Sequence, residues 1–187
     1  MKAYADAWLG SSSPLGTDSV TLSPYLGFES LRPALDLADE NDRGTFVLAL
    51  TSNPEGKSVQ HVGASESGHS GESEGAVAKR IIAAATAENA SRQWEQMGPC
   101  GLVVGATVGQ ALVDLGIDLS VFNGPILSPG YGAQGASAAD LYRVFAGIES
   151  QVLVNSSRGV LAAGPSVEGL AQAAQAARDD LLAARGA

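Results

Sequence analysis

Several things are scarce in this sequence of 187 residues, and each shortage excludes something. There is one cysteine, Cys100, so no disulfide can form within the chain. Cys100 stands just ahead of the apolar run Gly101-Leu102-Val103-Val104, which reads as a small core residue rather than a nucleophile. There are two histidines, His61 and His69, and no pattern of Cys, His and Asp around them resembles a metal-ligand set. Positive charge is short as well: 11 Lys and Arg face 20 Asp and Glu, for a net charge of −9 and a pI near 4.5. That balance argues against a nucleic-acid backbone or an anionic membrane as partner, although a locally basic pocket could still hold one phosphate. No apolar run approaches the ~20 residues of a membrane span. No signal peptide is visible, because Met1-Lys2 runs straight into an amphipathic helix pattern, and the cytoplasm is the default location. There is no internal sequence repeat and no domain linker. The length allows one domain with a sizeable core.

What the chain does have is an alternating rhythm. Five short apolar runs recur: Ser19–Leu22, Thr45–Leu50, Gly101–Gly105, Val121–Leu127 and Gln151–Val154. Each is bounded by Gly, Pro, Ser or Asn, and such runs predict strands buried on both faces, the mark of a parallel sheet. Between them lie helical patterns. Phe28, Leu31, Leu35 and Ala38 make one apolar face, and Val77, Ile81, Ala84 and Ala85 another. Val108, Ala111, Leu112 and Leu115 follow, with Thr107 and Gln110 spaced as a capping box. Leu141, Val144, Phe145 and Ile148 come next behind Ser137 as N-cap, then Leu170, Ala174, Ala177 and Leu181 behind Ser166. At the start, Tyr4, Trp8 and Leu9 are expected to face the core. The order is one helix, then strand–helix five times, which means an α/β fold.

The residues suited to chemistry fall after the strands, where α/β folds place their sites. The fourth run opens into Ser128-Pro129-Gly130-Tyr131-Gly132-Ala133-Gln134-Gly135-Ala136-Ser137. Glycine lets backbone N–H groups approach a ligand closely, and a loop feeding a helix N-terminus suits an anion, most often a phosphate. The bland reading is a tight turn without a ligand. The fifth run leads into Asn155-Ser156-Ser157-Arg158-Gly159. The guanidinium of Arg158 matches phosphate oxygens with a planar fork of donors, whereas alone it could be a surface salt bridge. In eight-stranded (β/α)8 barrels the phosphate site is built from the loops after strands 7 and 8. Two anion-type loops after the last two runs fit that plan. The numbering then makes the first run strand 4, so strands 1 to 3 are absent and five strands cannot close the barrel. A five-stranded, flavodoxin-like open sheet needs no missing part. The Gly-, Ser- and Glu-rich segment 55–75 is either an active-site lid or a solvated insertion.

These stretches resemble orotidine 5′-phosphate decarboxylase in its longer bacterial subfamily. The resemblance rests on Asp18-Ser19-Val20-Thr21-Leu22-Ser23-Pro24-Tyr25-Leu26-Gly27, Thr51-Ser52-Asn53-Pro54-Glu55-Gly56, Gly101-Leu102-Val103-Val104-Gly105-Ala106-Thr107, the glycine loop, and Asn155-Ser156-Ser157-Arg158-Gly159, and it covers essentially the whole chain. It implies the C-terminal part, about five βα units, of a (β/α)8 TIM barrel, with residues 1–187 forming one partial domain. It implies a homodimer that converts orotidine monophosphate to UMP and CO2 in pyrimidine synthesis with no metal or organic cofactor. Arg158 and Gly159 would grip the 5′-phosphate together with Gly132 and Gly135 of the glycine loop, and Gln134 would lie over phosphate and base. Ser52 and Asn53 would meet the pyrimidine edge, and Pro129 and Gly130 would shape the loop. The sequence departs from the family at one point. The catalytic Asp-x-Lys-Arg-x-Asp motif, whose lysine protonates the carbon that loses CO2, is not among these residues. The three lysines are Lys2, Lys57 and Lys79, and Ala78-Lys79-Arg80 lacks both aspartates in the middle of a helical pattern. The chain as written is therefore expected to hold no catalytic residue. Two other readings stand beside this one: a non-catalytic module binding a nucleotide or sugar phosphate, and a different phosphate-binding barrel enzyme using Glu55 or Asp18.

Overall fold

The five apolar runs become five strands in the computed structural model, which describes residues 1–64 and 75–185. They are β1 (Ser19–Leu22), β2 (Gly44–Leu50), β3 (Cys100–Val104), β4 (Ile126–Pro129) and β5 (Val152–Asn155). All pair in parallel, and their spatial order is their chain order, β1-β2-β3-β4-β5. A flavodoxin-like sheet instead has the order 2-1-3-4-5, folding back beside its first strand. Monotonic advance is the habit of a barrel wall, so the open-sheet alternative falls away.

The helices cover one side of this wall. They are α1 (Lys2–Leu9), α2 (Arg32–Glu40), α3 (Lys57–Gln60), α4 (Val77–Ala90), α5 (Gly109–Asp114), α6 (Ala138–Val144), α7 (Ser157–Leu161) and α8 (Val167–Arg185). Among the described residues, none of these is long and apolar enough to cross a membrane. The core lies between helices and sheet: Val47, Leu50, Leu102, Val104 and Ile126 are fully buried there, with Leu31, Ala34, Ala85 and Leu141 packed over them. The other side of the sheet is less covered. Leu48 is 37% and Leu153 52% exposed, and Phe46 and Leu127 are half-buried. Burial on both faces was expected for every strand and holds throughout only in β3, the middle one, while β5 alternates half-buried and exposed. A strand is buried on its second face only when another element stands opposite it.

Local capping decides where several elements begin. Ser137 caps α6 by accepting from the Asp140 N–H at 3.1 Å, and the Asp140 carboxylate accepts from the Ser137 N–H at 3.2 Å, a complete capping box. Ser166 accepts from the Gly169 N–H at 3.1 Å at the head of α8. The Thr107/Gln110 box does not form. Here α5 starts at Gly109 behind Val108, so Thr107 sits one position too early, and Gln110 Nε2 donates instead to Asp114 Oδ1 at 2.8 Å. The fourth run also begins later than expected. Residues 121–125 turn rather than extend, with the Phe122 N–H bonded to the Leu119 carbonyl at 3.1 Å and Pro125 unable to donate to a ladder. In α1 the core-facing residues are Ala5 and Leu9, both fully buried, whereas Tyr4 and Trp8 lie on the adjacent stripe with their rings 6.3 Å apart. The smaller pair lets α1 settle on α2. In α8, Leu170, Ala177 and Leu181 are half-buried and Ala174 is exposed, so that face only partly docks.

A polar cluster closes the space between α2, α4 and the starts of β2 and β3. Asn89 is 1% exposed. Its Nδ2 donates to the Cys100 carbonyl at 2.9 Å, and its Oδ1 accepts from the Cys100 N–H at 3.1 Å. The side chain thus pairs both backbone groups of the first residue of β3. Burial pushes the Cys100 thiol up to about 12. Arg32 grips Glu88 with two parallel bonds of 3.0 and 2.9 Å, and hydrogen bonds first to Glu88 and then to Glu29 hold its guanidinium above its ordinary value. Arg92 pairs with Asp39 and lies 3.8 Å over the Trp94 ring.

Candidate functional site

Two loops meet at the carboxyl ends of β4 and β5. The first carries residues 130–136 between β4 and α6. Gly130, Gly132 and Gly135 have φ values of +122°, +68° and +96°, which a side chain would strain. Those turns fold the loop onto itself: the Gly132 N–H donates to the Ala136 carbonyl at 2.8 Å and the Gly135 N–H to the Gly132 carbonyl at 2.9 Å. The amides of both glycines therefore close the loop and do not point outward. Its base is fixed by the Ala106 N–H donating to the Pro129 carbonyl at 2.8 Å, which joins the ends of β3 and β4.

The second loop is the step from β5 into α7, a helix of only five residues. Between the two loops lies a cleft of about 90 Å³, lined by Pro129, Gly130, Gln134, Asn155, Ser157 and Arg158 among others. Arg158 enters no ion pair or side-chain hydrogen bond among the described residues. Gly159 follows it where space is short, since a Cβ there would stand 2.8 Å from Ser156 Oγ. A third strand end reaches the cleft through Ser52, whose hydroxyl donates to Gln134 Oε1 at 3.3 Å across 82 positions of sequence.

The parallel order thus brings Pro129, Gln134 and Arg158 to one cleft, with Ser52 attached through Gln134. Gly132, Gly135, Gly159 and Asn53 do not line it. Asn53 is exposed, and its carbonyl accepts from the Gly56 N–H at 3.0 Å to start a short 3₁₀ turn. After that turn the chain is folded back by Gln60, which accepts from the Thr51 N–H and donates to Thr51 Oγ1, both at 2.9 Å. Segment 55–75 therefore begins with structure rather than open loop. Its described flanks close where the Val77 N–H donates to the Val62 carbonyl at 2.9 Å. Residues 65–74, with His69, lie outside the described residues. Among the described residues no group of three or more His, Cys, Asp or Glu could hold a metal ion.

Asp18 and Glu55 cannot form the acid–base pair that a different barrel enzyme would need. Asp18 precedes β1 and Glu55 follows β2, so in a parallel sheet they lie at opposite ends. Lys79 lies exposed on α4. A hollow of about 650 Å³ lies in the groove between α5 and α6. Its cation is already paired. Arg143 pairs with Asp140 at 2.8 Å, and Asp140 also closes the Ser137 cap, so its carboxyl is held below its usual value chiefly by Ser137. The smaller cleft is the one with an unpaired cation.

One contact had no signal in the sequence. The Tyr131 hydroxyl, between two of the loop glycines, donates to Asp180 Oδ2 on α8 at 2.7 Å. Burial first and Asp180 second push its phenol up to about 12. The partners lie 49 positions apart, beyond the reach of any local periodicity.

Comparison with known proteins agrees with this arrangement. The model of the family described as Orotidine 5′-phosphate decarboxylase / HUMPS matches residues 1–173. The orotidine 5′-phosphate decarboxylase of Streptomyces coelicolor is 51% identical over 175 residues, which are 93% of this chain and 58% of that protein. That of Salinispora arenicola is 49% identical over 182 residues, 97% of this chain and 61% of that protein. A crystal structure from Streptomyces avermitilis, assigned as an orotidine 5′-phosphate decarboxylase, superposes with a TM-score of 0.84 at 47% identity, covering all of this chain and 61% of that one. The chain spans about three-fifths of the length of these relatives.

Proposed function

The chain belongs to the Orotidine 5′-phosphate decarboxylase / HUMPS family, and on that premise we propose that its 187 residues form the nucleotide-binding side of a decarboxylase site. The fold is the α/β arrangement of about five consecutive units of the family's barrel. In this reading Arg158 holds the 5′-phosphate of orotidine monophosphate or UMP, and the amide of Gly159 approaches it where a side chain would crowd Ser156. Gln134 lies over phosphate and base. Ser52, with Asn53, meets the pyrimidine edge, and Gly132 and Gly135 shape the loop through their backbone conformation. The observation that carries the reading is the unpaired guanidinium of Arg158 on a cleft shared with Gln134, itself joined to Ser52.

The reaction would release CO2 from orotidine monophosphate and place a proton on the carbon left behind. No residue of the cleft is suited to give that proton. The family's Asp-x-Lys-Arg-x-Asp motif is not among these residues, and Lys79 stands apart on α4. The 187 residues alone are thus proposed to bind nucleotide without turning it over, and to work in the cytoplasm as part of a homodimer. The test is a calorimetric titration with UMP and uridine, run beside a decarboxylation assay with orotidine monophosphate. UMP is expected to bind much more tightly than uridine, with that preference lost in Arg158→Ala, and no CO2 is expected. Equal affinity for UMP and uridine would sink the phosphate assignment, and turnover would sink the division of labour.

A further inference from the structure

We infer that Tyr131 and Asp180 are a positioning pair, by which α8 fixes the glycine loop over the cleft. The inference rests on the phosphate reading above only for its consequence on affinity. The geometry is independent of it.

The loop needs an outside anchor. Tyr131 stands between Gly130 and Gly132, both at positive φ, so its neighbours contribute little stiffness of their own. The loop's internal bonds, Gly132 to Ala136 and Gly135 to Gly132, fix its shape but not its stance relative to β5. Two side-chain ties supply that. On one side Gln134 meets Ser52 at 3.3 Å, a long bond between neutral groups. On the other, the Tyr131 hydroxyl meets a carboxylate at 2.7 Å, a short charge-assisted bond. Asp180 has no cationic partner among the described residues, whereas its neighbour Asp179 pairs with Arg178 at 2.7 Å. The carboxylate of Asp180 is committed to the phenol alone.

Tyr131 also borders two spaces at once. One is the cleft of Arg158 and Gln134. The other is a hollow of about 320 Å³ between β5 and α8, bordered by Val154, Ala177 and Leu181. A residue shared between them carries the position of α8 to the cleft wall. α8 buries no residue fully and packs on α6 and α7, and this bond ties it to the loop itself.

The test compares Tyr131→Phe, Asp180→Ala and the double variant with the unaltered chain, by amide hydrogen exchange and by titration with UMP and uridine. Tyr131→Phe removes the donor and keeps the ring, and Asp180→Ala removes the acceptor. Exchange is expected to quicken at the Gly132, Gly135 and Ala136 amides and to stay unchanged at the core amide of Leu102. UMP affinity is expected to fall by roughly three- to tenfold, the range for losing one partly exposed hydrogen bond to a charged group, with uridine affinity held and the double variant no worse than either single one. Unchanged loop exchange overturns the inference. So does faster exchange with UMP affinity intact, because the tie would then order the loop without positioning the site. If the unaltered chain binds no UMP, the phosphate reading fails, and the exchange result alone decides whether the tie anchors the loop.

Discussion

Arg32 and Arg158 present the same guanidinium to opposite surroundings. Arg32 is met by Glu88 with two parallel bonds, and by Glu29 and Asp36 within 3.6 Å. Beside it Asn89 takes up both backbone groups of Cys100, and Arg92 finds Asp39 and Trp94. The charges of that region are paired. Arg158, beyond the carboxyl end of the sheet, has no partner among the described residues, and the loop next to it keeps three glycines at positive φ. Both regions carry arginine, so the residue type alone does not separate structure from function here. Satisfaction does. A paired cation holds elements together, while an unpaired one beside a cleft remains available to a ligand.

The comparison breaks first, and by the largest margin, at Arg158. Replacing it with alanine should lower UMP affinity by about 100-fold, the worth of one or two charge-assisted bonds, with the urea midpoint unmoved. A loss of stability instead of affinity would place Arg158 with Arg32. The reverse pattern is expected for Asn89→Ala. It leaves the N–H and carbonyl of Cys100 unpaired in the core and should cost about 2–3 kcal/mol in urea unfolding, with UMP affinity untouched. Thiol labelling of Cys100 should quicken in that variant as β3 opens more often.

A smaller effect sharpens the same region through pH. The folded-state value of Cys100 is raised to about 12 from an ordinary 9.0, so the folded chain keeps its proton where the unfolded chain loses it. Stability from this group is complete below about pH 9 and is lost as pH rises toward 12. By pH 10 the loss should be on the order of 1 kcal/mol, and Cys100→Ala should flatten the alkaline slope. The smallest effect belongs to the best-looking ion pair. Because the Arg32 side chain is 36% exposed, solvent screens its bonds, and Arg32→Met should cost less than about 1 kcal/mol at physiological salt. A cost several times larger would mean that the cluster acts as one network.

Much of this was legible beforehand, for reasons that can be named. The strands announced themselves because short apolar runs between breakers have few other uses, and Ser137 and Ser166 showed as caps because capping is decided within four residues. Given parallel strands in chain order, the residues after β4 and β5 had to come together, and Arg158 and Gln134 did. Other features depend on what stands opposite, which one stretch cannot reveal. Tyr4 and Trp8 lost the core to Ala5 and Leu9 because α2 favours the smaller stripe. The second face of β5 is half open because nothing described stands over it. Thr107 missed its cap by one residue, a shift that no propensity resolves. The meeting of Tyr131 with Asp180 belongs to the tertiary fold alone.

The hydrogen bond from Val77 to Val62 has a consequence for how this chain can vary. It joins Val62 to Val77 across the long connection between β2 and β3, so a change of length between them enters inside a closed neck. Closure entropy grows only with the logarithm of length, and doubling that segment would change it by about 0.6 kcal/mol. Insertions and deletions should therefore gather inside the neck, while the spacing from β4 to Arg158 stays fixed.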